Sequence, residues 1–125
     1  MWVFTMDGFY SVVQKAYDKE QGTVTVRARC RADLEKMLGR VNESSEIIVS
    51  KNTDYRFRVS IPRHIWKLYL DMAAESLDYD NFKTASCSHS ALRHNAYMTC
   101  WQAMREFQEY HHKTNRKKNN NDHYK

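Results

Sequence analysis

The amino-acid sequence predicts an α+β fold: a single antiparallel sheet packed on one side by two to three helices, in a ferredoxin-like or similar two-layer sandwich. Three observations predict it. Two segments alternate strictly, Val24, Val26, Ala28 and Cys30 against Thr25, Arg27 and Arg29, and Tyr55, Phe57, Val59 and Ile61 against Arg56, Arg58 and Ser60. Period two is that of a half-buried strand. Three other segments repeat apolar residues at spacings of three and four, the period of an amphipathic helix: Leu34, Met37, Leu38 and Val41; Ile65, Leu68, Tyr69 and Met72; Tyr97, Cys100, Trp101, Met104 and Phe107. The order along the chain is strands, one helix, strands, then helices, with no internal repeat.

Taken in order, residues 2–5 and 9–14 are rich in aromatic and β-branched side chains and flank Met6, Asp7 and Gly8, a turn signal. They read as an opening hairpin. Gln21 and Gly22 introduce the strand over 23–30. The helix beginning near Leu34 is short, about ten residues, with Asp33 in the first turn, where the helix dipole favours an acid, and Gly39 near its end. Residues 46–50 form a brief strand and 51–54 turn into the strand over 55–61. Pro62 suits the first turn of the next helix, which runs to about Ser76. Residues 78–83 are a loop or a helical turn. A long helix starts near His89 and fades near His112, and residues 113–125, with Asn119, Asn120 and Asn121, form a basic flexible tail almost without apolar residues. One domain over 1–112 followed by this tail is the expected organisation.

A chain of 125 residues is one domain in size and buries roughly 65% of the surface its unfolded form exposes. Its mean hydropathy of −0.82, with no apolar run long enough for a bilayer, speaks against a membrane partner. The start of the sequence has neither a basic n-region nor a small-residue cleavage site, so no signal peptide is expected. Three cysteines, an odd number at no framework spacing, suit a reducing compartment, and the expected location is the cytoplasm. The net charge of +5 is uneven: residues 111–125 hold five cations and one acid, which leaves the body nearly neutral. Polyanion binding must therefore be argued from where body charges sit.

The opening Trp2-Val3-Phe4-Thr5-x-x-Gly8-Phe9-Tyr10-Ser11-Val12-Val13, with Val26-Arg27-Ala28-Arg29 and Asp33-Leu34, resembles a family of small, functionally uncharacterised bacterial and phage proteins. Further matches are Asp54-Tyr55-Arg56-Phe57-Arg58, Asp78-Tyr79-Asp80-Asn81-Phe82-Lys83, Arg93, Tyr97 and Trp101-x-x-Met104. They extend over most of residues 2–104, and the tail has no counterpart. The resemblance supports the fold unit and adds no reaction. It implies which polar residues recur, and the family's phage distribution implies a module that sequesters a nucleotide signal.

If the apolar sides of both alternating strands pack on the helices, pleat geometry sends Arg27, Arg29, Arg56 and Arg58 to the opposite face. Guanidiniums on strands about 4.8 Å apart repel one another unless an anion, internal or bound, lies among them. The planar fork of arginine matches phosphate and carboxylate, which points to a phosphate-bearing ligand. The competing reading is a solvated face paired with Asp7, Asp54, Glu46, Asp78 or Asp80. Tyr10, alternating with Phe9, is expected to stack beside the arginines, whereas Trp2, Phe4 and Phe9 are expected in the core. Asn81 and Lys83 are candidate ligand donors, joined by Arg93 from the helical side. Their structural alternative has Tyr79 and Phe82 plugging a core and Asp78 capping a turn.

Residues 78–89 fail as a calcium loop, because Lys83 stands where glycine is needed and His89 where glutamate is needed. Cys87, His89, His94 and Cys100 match no zinc-ligand spacing. No metal and no cofactor is expected, and the sequence has no nucleophile elbow or P-loop. The expected function is non-enzymatic binding of a phosphate-containing small molecule or short nucleic acid by the arginine-bearing face. Two alternatives stand beside it: RNA or single-stranded DNA binding aided by the basic tail, and a protein-interaction or homodimerisation module.

Overall fold

Strands form where the alternation predicts them, because one side of each finds a core and the other does not. In the computed structural model, which describes residues 1–87 and 89–122, β1 (Trp2–Thr5) and β2 (Gly8–Val13) make the opening hairpin. Thr5 lies opposite Gly8 and closes a two-residue turn of Met6 and Asp7. Gly8 is needed there: its φ is +156°, and a Cβ would overlap the Asp33 carboxyl, whose Oδ2 accepts the Phe9 N–H at 3.1 Å. After α1 (Ala16–Gln21) come β3 (Thr23–Ala28), α2 (Arg31–Arg40), β4 (Ile48–Val49), β5 (Phe57–Pro62) and α3 (Arg63–Glu75). The five strands are ordered β1-β2-β3-β5-β4, every pair antiparallel. This is an α+β arrangement of the expected kind, in which β1, β2 and β3 are sequential neighbours and the chain then crosses to the edge strand β4 and returns as β5 between β3 and β4, rather than using split βαβ units.

Register separates the two faces. Val24 pairs with Ile61, Val26 with Val59 and Ala28 with Phe57, and all six point the same way. Leu34, Met37 and Leu38 of α2 and Trp66 and Tyr69 of α3 pack on that side in one buried cluster. Each large side chain buried in this way contributes about 2 kcal/mol.

Four details depart from the sequence reading. The six-residue α1 was hidden between two strands; it ends on Gly22 at φ 67°, whose N–H bonds the Asp18 carbonyl. It sits on the face opposite α2 and α3, because its Asp18 accepts from Thr25 and Ser60, which alternate away from the core. β3 stops at Ala28, so Cys30 does not extend its inward row and instead precedes α2, exposed. The strand expected over 46–50 shrinks to Ile48 and Val49, and residues 51–56 are bends, so β5 begins only at Phe57.

The chain divides into two compact units, Met1–Asp80 and Asn81–Lys125, where one domain over 1–112 was expected. The second holds α4 (Phe82–Ser86) and α5 (Ala91–Asp122). Asn81, not Asp78, caps α4, its Oδ1 accepting the Thr84 N–H at 3.1 Å. α5 passes the His112 stop and carries residues 113–122 as helix, since that stretch has lysine, arginine and asparagine but no glycine or proline to end it. The last three residues of the expected tail, 123–125, lie outside the described residues.

Candidate functional site

The sheet face turned away from α2 and α3 carries the site. Trp2 on β1 pairs with Ser11 on β2, Ser11 with Arg27 on β3, Arg27 with Arg58 on β5, and Arg58 with Ile48 on β4. These five residues form one transverse row on one face. Strands lie about 4.8 Å apart, so the Trp2 backbone stands about 10 Å from that of Arg27 and about 14 Å from that of Arg58. In the next row Phe4 pairs with Phe9, their rings stacked at 4.5 Å, and Trp2 meets Phe9 edge-on at 5.8 Å. The face therefore has an aromatic half on β1 and β2 and a cationic half on β3 and β5.

Tyr55 joins the halves. The bends at 51–56 take it out of strand register, so its ring lies under the arginines instead of beside Phe57 as alternation predicts. It is buried yet stands outside the core cluster, with the Arg29 guanidinium 3.8 Å and the Arg27 guanidinium 4.6 Å from its centroid and Phe9 at 6.5 Å. Two cations over one ring gain from its quadrupole.

The partners of the arginines differ. Arg29 donates to both carboxylate oxygens of Asp54, at 2.8 and 3.4 Å, and to its carbonyl at 2.9 Å. The hydrogen bond from Arg29 holds the Asp54 carboxyl below the usual carboxylate range, and the same bond raises the Arg29 guanidinium. Arg27 donates to the Ser11 hydroxyl at 2.7 Å and the Ser11 carbonyl at 3.4 Å. Arg58 donates to the Thr53 hydroxyl at 2.8 Å and the Tyr55 carbonyl at 3.3 Å. Its Nε–H is buried with no acceptor among the described residues. Arg27 and Arg58, at directly paired backbone positions, thus hydrogen-bond only neutral acceptors, while the Asp54 carboxylate also lies within electrostatic reach of Arg27. Arg56 is exposed in the bend before β5, outside the paired register.

Tyr10 is a correction. It pairs with Val3 on the core side, is 0% exposed, packs edge-on against Trp66 and Tyr69, and donates its hydroxyl to the Asp33 carbonyl at 2.6 Å. Burial, reinforced by Tyr69, pushes its phenol far above the ordinary value, so it stays neutral and unavailable for stacking. The parity was reversed: Trp2, Phe4 and Phe9, assigned to the core by sequence, occupy the open face, and Trp2 is 73% exposed. The two-residue turn was the signal that finds them, because pairing Thr5 with Gly8 forces Phe4 and Phe9 to one side together with Trp2 and Ser11.

Asn81, Lys83 and Arg93 belong to the second unit, and each is engaged within it. Asn81 caps α4, the Lys83 ammonium lies 5.0 Å over the Trp101 ring, and Arg93 donates to the Tyr97 hydroxyl at 2.8 Å. Phe82 stacks on Tyr97 at 6.0 Å. For Asn81 the side-chain oxygen serves the helix as its cap, and the amide Nδ2 is the group that could donate to a ligand.

Two further polar clusters are internally matched. Asp18, fully buried, accepts from the Lys15 N–H and Thr25 on Oδ2 and from Thr23 and Ser60 on Oδ1, at 2.6 to 3.0 Å. Burial alone would raise its carboxyl, but these donors outweigh it and hold the group below the usual range. Asp7, in the hairpin turn, accepts from the Arg40 Nε at 2.7 Å and the Tyr69 hydroxyl at 2.8 Å, and Thr5 in turn donates to Tyr69 at 2.7 Å. This network ties the turn to α2 and α3 beside a cavity of about 190 Å³. Among the described residues no three His, Cys, Asp or Glu side chains converge as a metal site, and no helix is long and apolar enough to cross a membrane.

An α+β protein with an arginine- and aromatic-bearing open sheet face is the class these features define. No family model, no curated protein and no solved structure matches the chain.

Proposed function

We propose that the open sheet face binds a phosphate-bearing ligand that also carries a flat ring: a nucleotide, a cyclic nucleotide or a short oligonucleotide. The observation that carries this reading is the Arg27–Arg58 pair, two arginines at paired backbone positions whose guanidiniums hydrogen-bond only neutral acceptors, one with a buried Nε–H that no acceptor among the described residues meets. A phosphate offers such a pair several acceptor oxygens and the opposite charge, and turning the Arg58 fork toward it relieves the unmet donor. The adjoining Trp2, Phe4 and Phe9 supply stacking surface for a base within a few strand spacings of the cations.

A thermal-shift and fluorescence-anisotropy panel of mononucleotides, cyclic dinucleotides and short oligonucleotides tests the reading. At least one class raises the melting temperature, and Arg27→Ala with Arg58→Ala lowers its affinity at least tenfold while the fold, judged by circular dichroism, is kept. A flat response across the panel, or undiminished affinity in the double variant, overturns it.

A second reading, RNA or single-stranded DNA held over a longer stretch, is favoured by the exposed cations Lys113, Arg116, Lys117 and Lys118 on the last turns of α5. Truncation after His112 then weakens oligonucleotide binding and leaves mononucleotide binding unchanged. Full oligonucleotide affinity in the truncated chain removes this reading.

A further inference from the structure

α5 leaves an apolar stripe bare. At about 100° per residue, Cys100, Trp101, Met104, Phe107 and His111 fall in one arc of the helix, while Arg105, Glu106, Glu109, Lys113 and Arg116 fall on the other half. α4 covers only the beginning of the stripe, where Phe82 stacks on Tyr97 and Lys83 lies over Trp101. Beyond it Met104 is 64% and Phe107 62% exposed. Sequence periodicity marks these residues as core-facing, and exposed apolar rows of this regularity mark an interface.

The geometry points to a second copy of this chain as the occupant, with the two α5 helices packed antiparallel along this stripe. Three features select that partner and that direction. The stripe is self-complementary under a two-fold axis between Arg105 and Glu106: each Met104 meets the other copy's Phe107, and each small Cys100 meets the other copy's His111. Methionine against an aromatic ring is a favourable contact, and it occurs twice by symmetry. Lys83 and Arg105 lie over the Trp101 ring, but from Met104 to His111 the stripe carries no charged residue, so no like charges are buried where Met104 and Phe107 of the two copies meet. Direction follows from the same contacts: parallel alignment sets Met104 against Met104 and Phe107 against Phe107 and forfeits both methionine–ring contacts, which the antiparallel alignment makes.

Sedimentation equilibrium on the full chain tests association, and cysteine chemistry tests direction. The expected mass is twice the 15.0 kDa of one chain. Met104→Glu with Phe107→Glu weakens the dimer at least tenfold and leaves helicity intact; the milder Met104→Ala shifts it the same way if the double variant fails to fold. In a Cys30→Ser background, His111→Cys forms a disulfide-linked dimer with Cys100 under mild oxidation. The chain without His111→Cys does not, because the two Cys100 side chains are offset by about 16 Å along the axis. A monomer at all concentrations overturns the proposal, as does a dimer indifferent to substitution at Met104 and Phe107. Ready cross-linking through Cys100 alone overturns the antiparallel direction. None of these outcomes bears on ligand binding by the sheet face.

Discussion

The open face of the sheet has two ends with opposite chemistry. At one end Asp18 lies fully buried under α1 with both carboxylate oxygens filled by four donors. At the other, Arg27 and Arg58 stand at paired backbone positions, hydrogen-bond only neutral acceptors and leave one donor unmet among the described residues. Both ends are polar, both use outward positions of β3 and β5, joined at the first end by Asp18 of α1 and its N-cap residue Lys15, and both break the rule that this face is merely solvated. The difference teaches that satisfaction, not polarity, separates a structural cluster from a candidate site. A matched network gains nothing further from a ligand, whereas an unmatched one does.

The largest expected effect comes from breaking the matched end. Asp18→Ala strands the Lys15 N–H and the hydroxyls of Thr23, Thr25 and Ser60, and is expected to cost about 3 kcal/mol in urea denaturation. Nucleotide binding at the arginine end stays unchanged in the folded fraction. A loss below about 1 kcal/mol means that the hydroxyls find other acceptors and the cluster is not structural. The same end has a pH signature. The Asp18 carboxyl is held low in the folded state, so its contribution is complete above the unfolded value near 3.9 and disappears as pH falls through the lower folded value. The stability gap between the natural chain and Asp18→Asn is therefore constant from pH 5 to 7 and closes only in strong acid. A gap that widens on acidification contradicts the assignment.

Why the sequence shows one end and hides the other follows from range. The Arg27–Arg58 pairing is legible because two strict alternations fix which side each arginine takes, provided the strands are neighbours. Asp18 is not legible: α1 is only six residues long and has no apolar stripe, so no periodicity announces it. Tyr10 was misplaced for a different reason. A tyrosine reads as amphipathic, and only the Asp33 carbonyl, supplied from α2, satisfies its hydroxyl inside the core. Tyr55 escapes the pattern because the bends at 51–56 end the alternation before it. The long helix was legible as a helix, but its period says nothing about what covers the apolar side.

The aromatic half sharpens the contrast at lower cost. Trp2 is mostly exposed and sits at the sheet edge, so Trp2→Ala leaves stability within about 0.5 kcal/mol. If bases stack there, oligonucleotide affinity falls about fivefold, at the low end for loss of one stacking ring. Unchanged affinity confines the ligand to the cationic half.

The smallest effect, and the one with an informative sign, comes from Asp54. It lies on the cationic half as an internal anion for Arg29, so it competes with a bound phosphate. Asp54→Asn removes the charge and keeps a carbonyl acceptor, and is expected to raise nucleotide affinity two- to threefold, about 0.5 kcal/mol. With Arg29 released, the dependence of binding on salt steepens as one more cation reaches the phosphate. In the natural chain the same release comes with protonation of Asp54, whose carboxyl is held low by Arg29, so affinity rises as pH falls through that lowered value while the asparagine variant stays flat. An Asp54→Asn variant that binds more weakly makes the carboxylate a ligand contact or a scaffold for Arg29, and the cationic half then resembles the Asp18 end: matched, and closed to an outside anion.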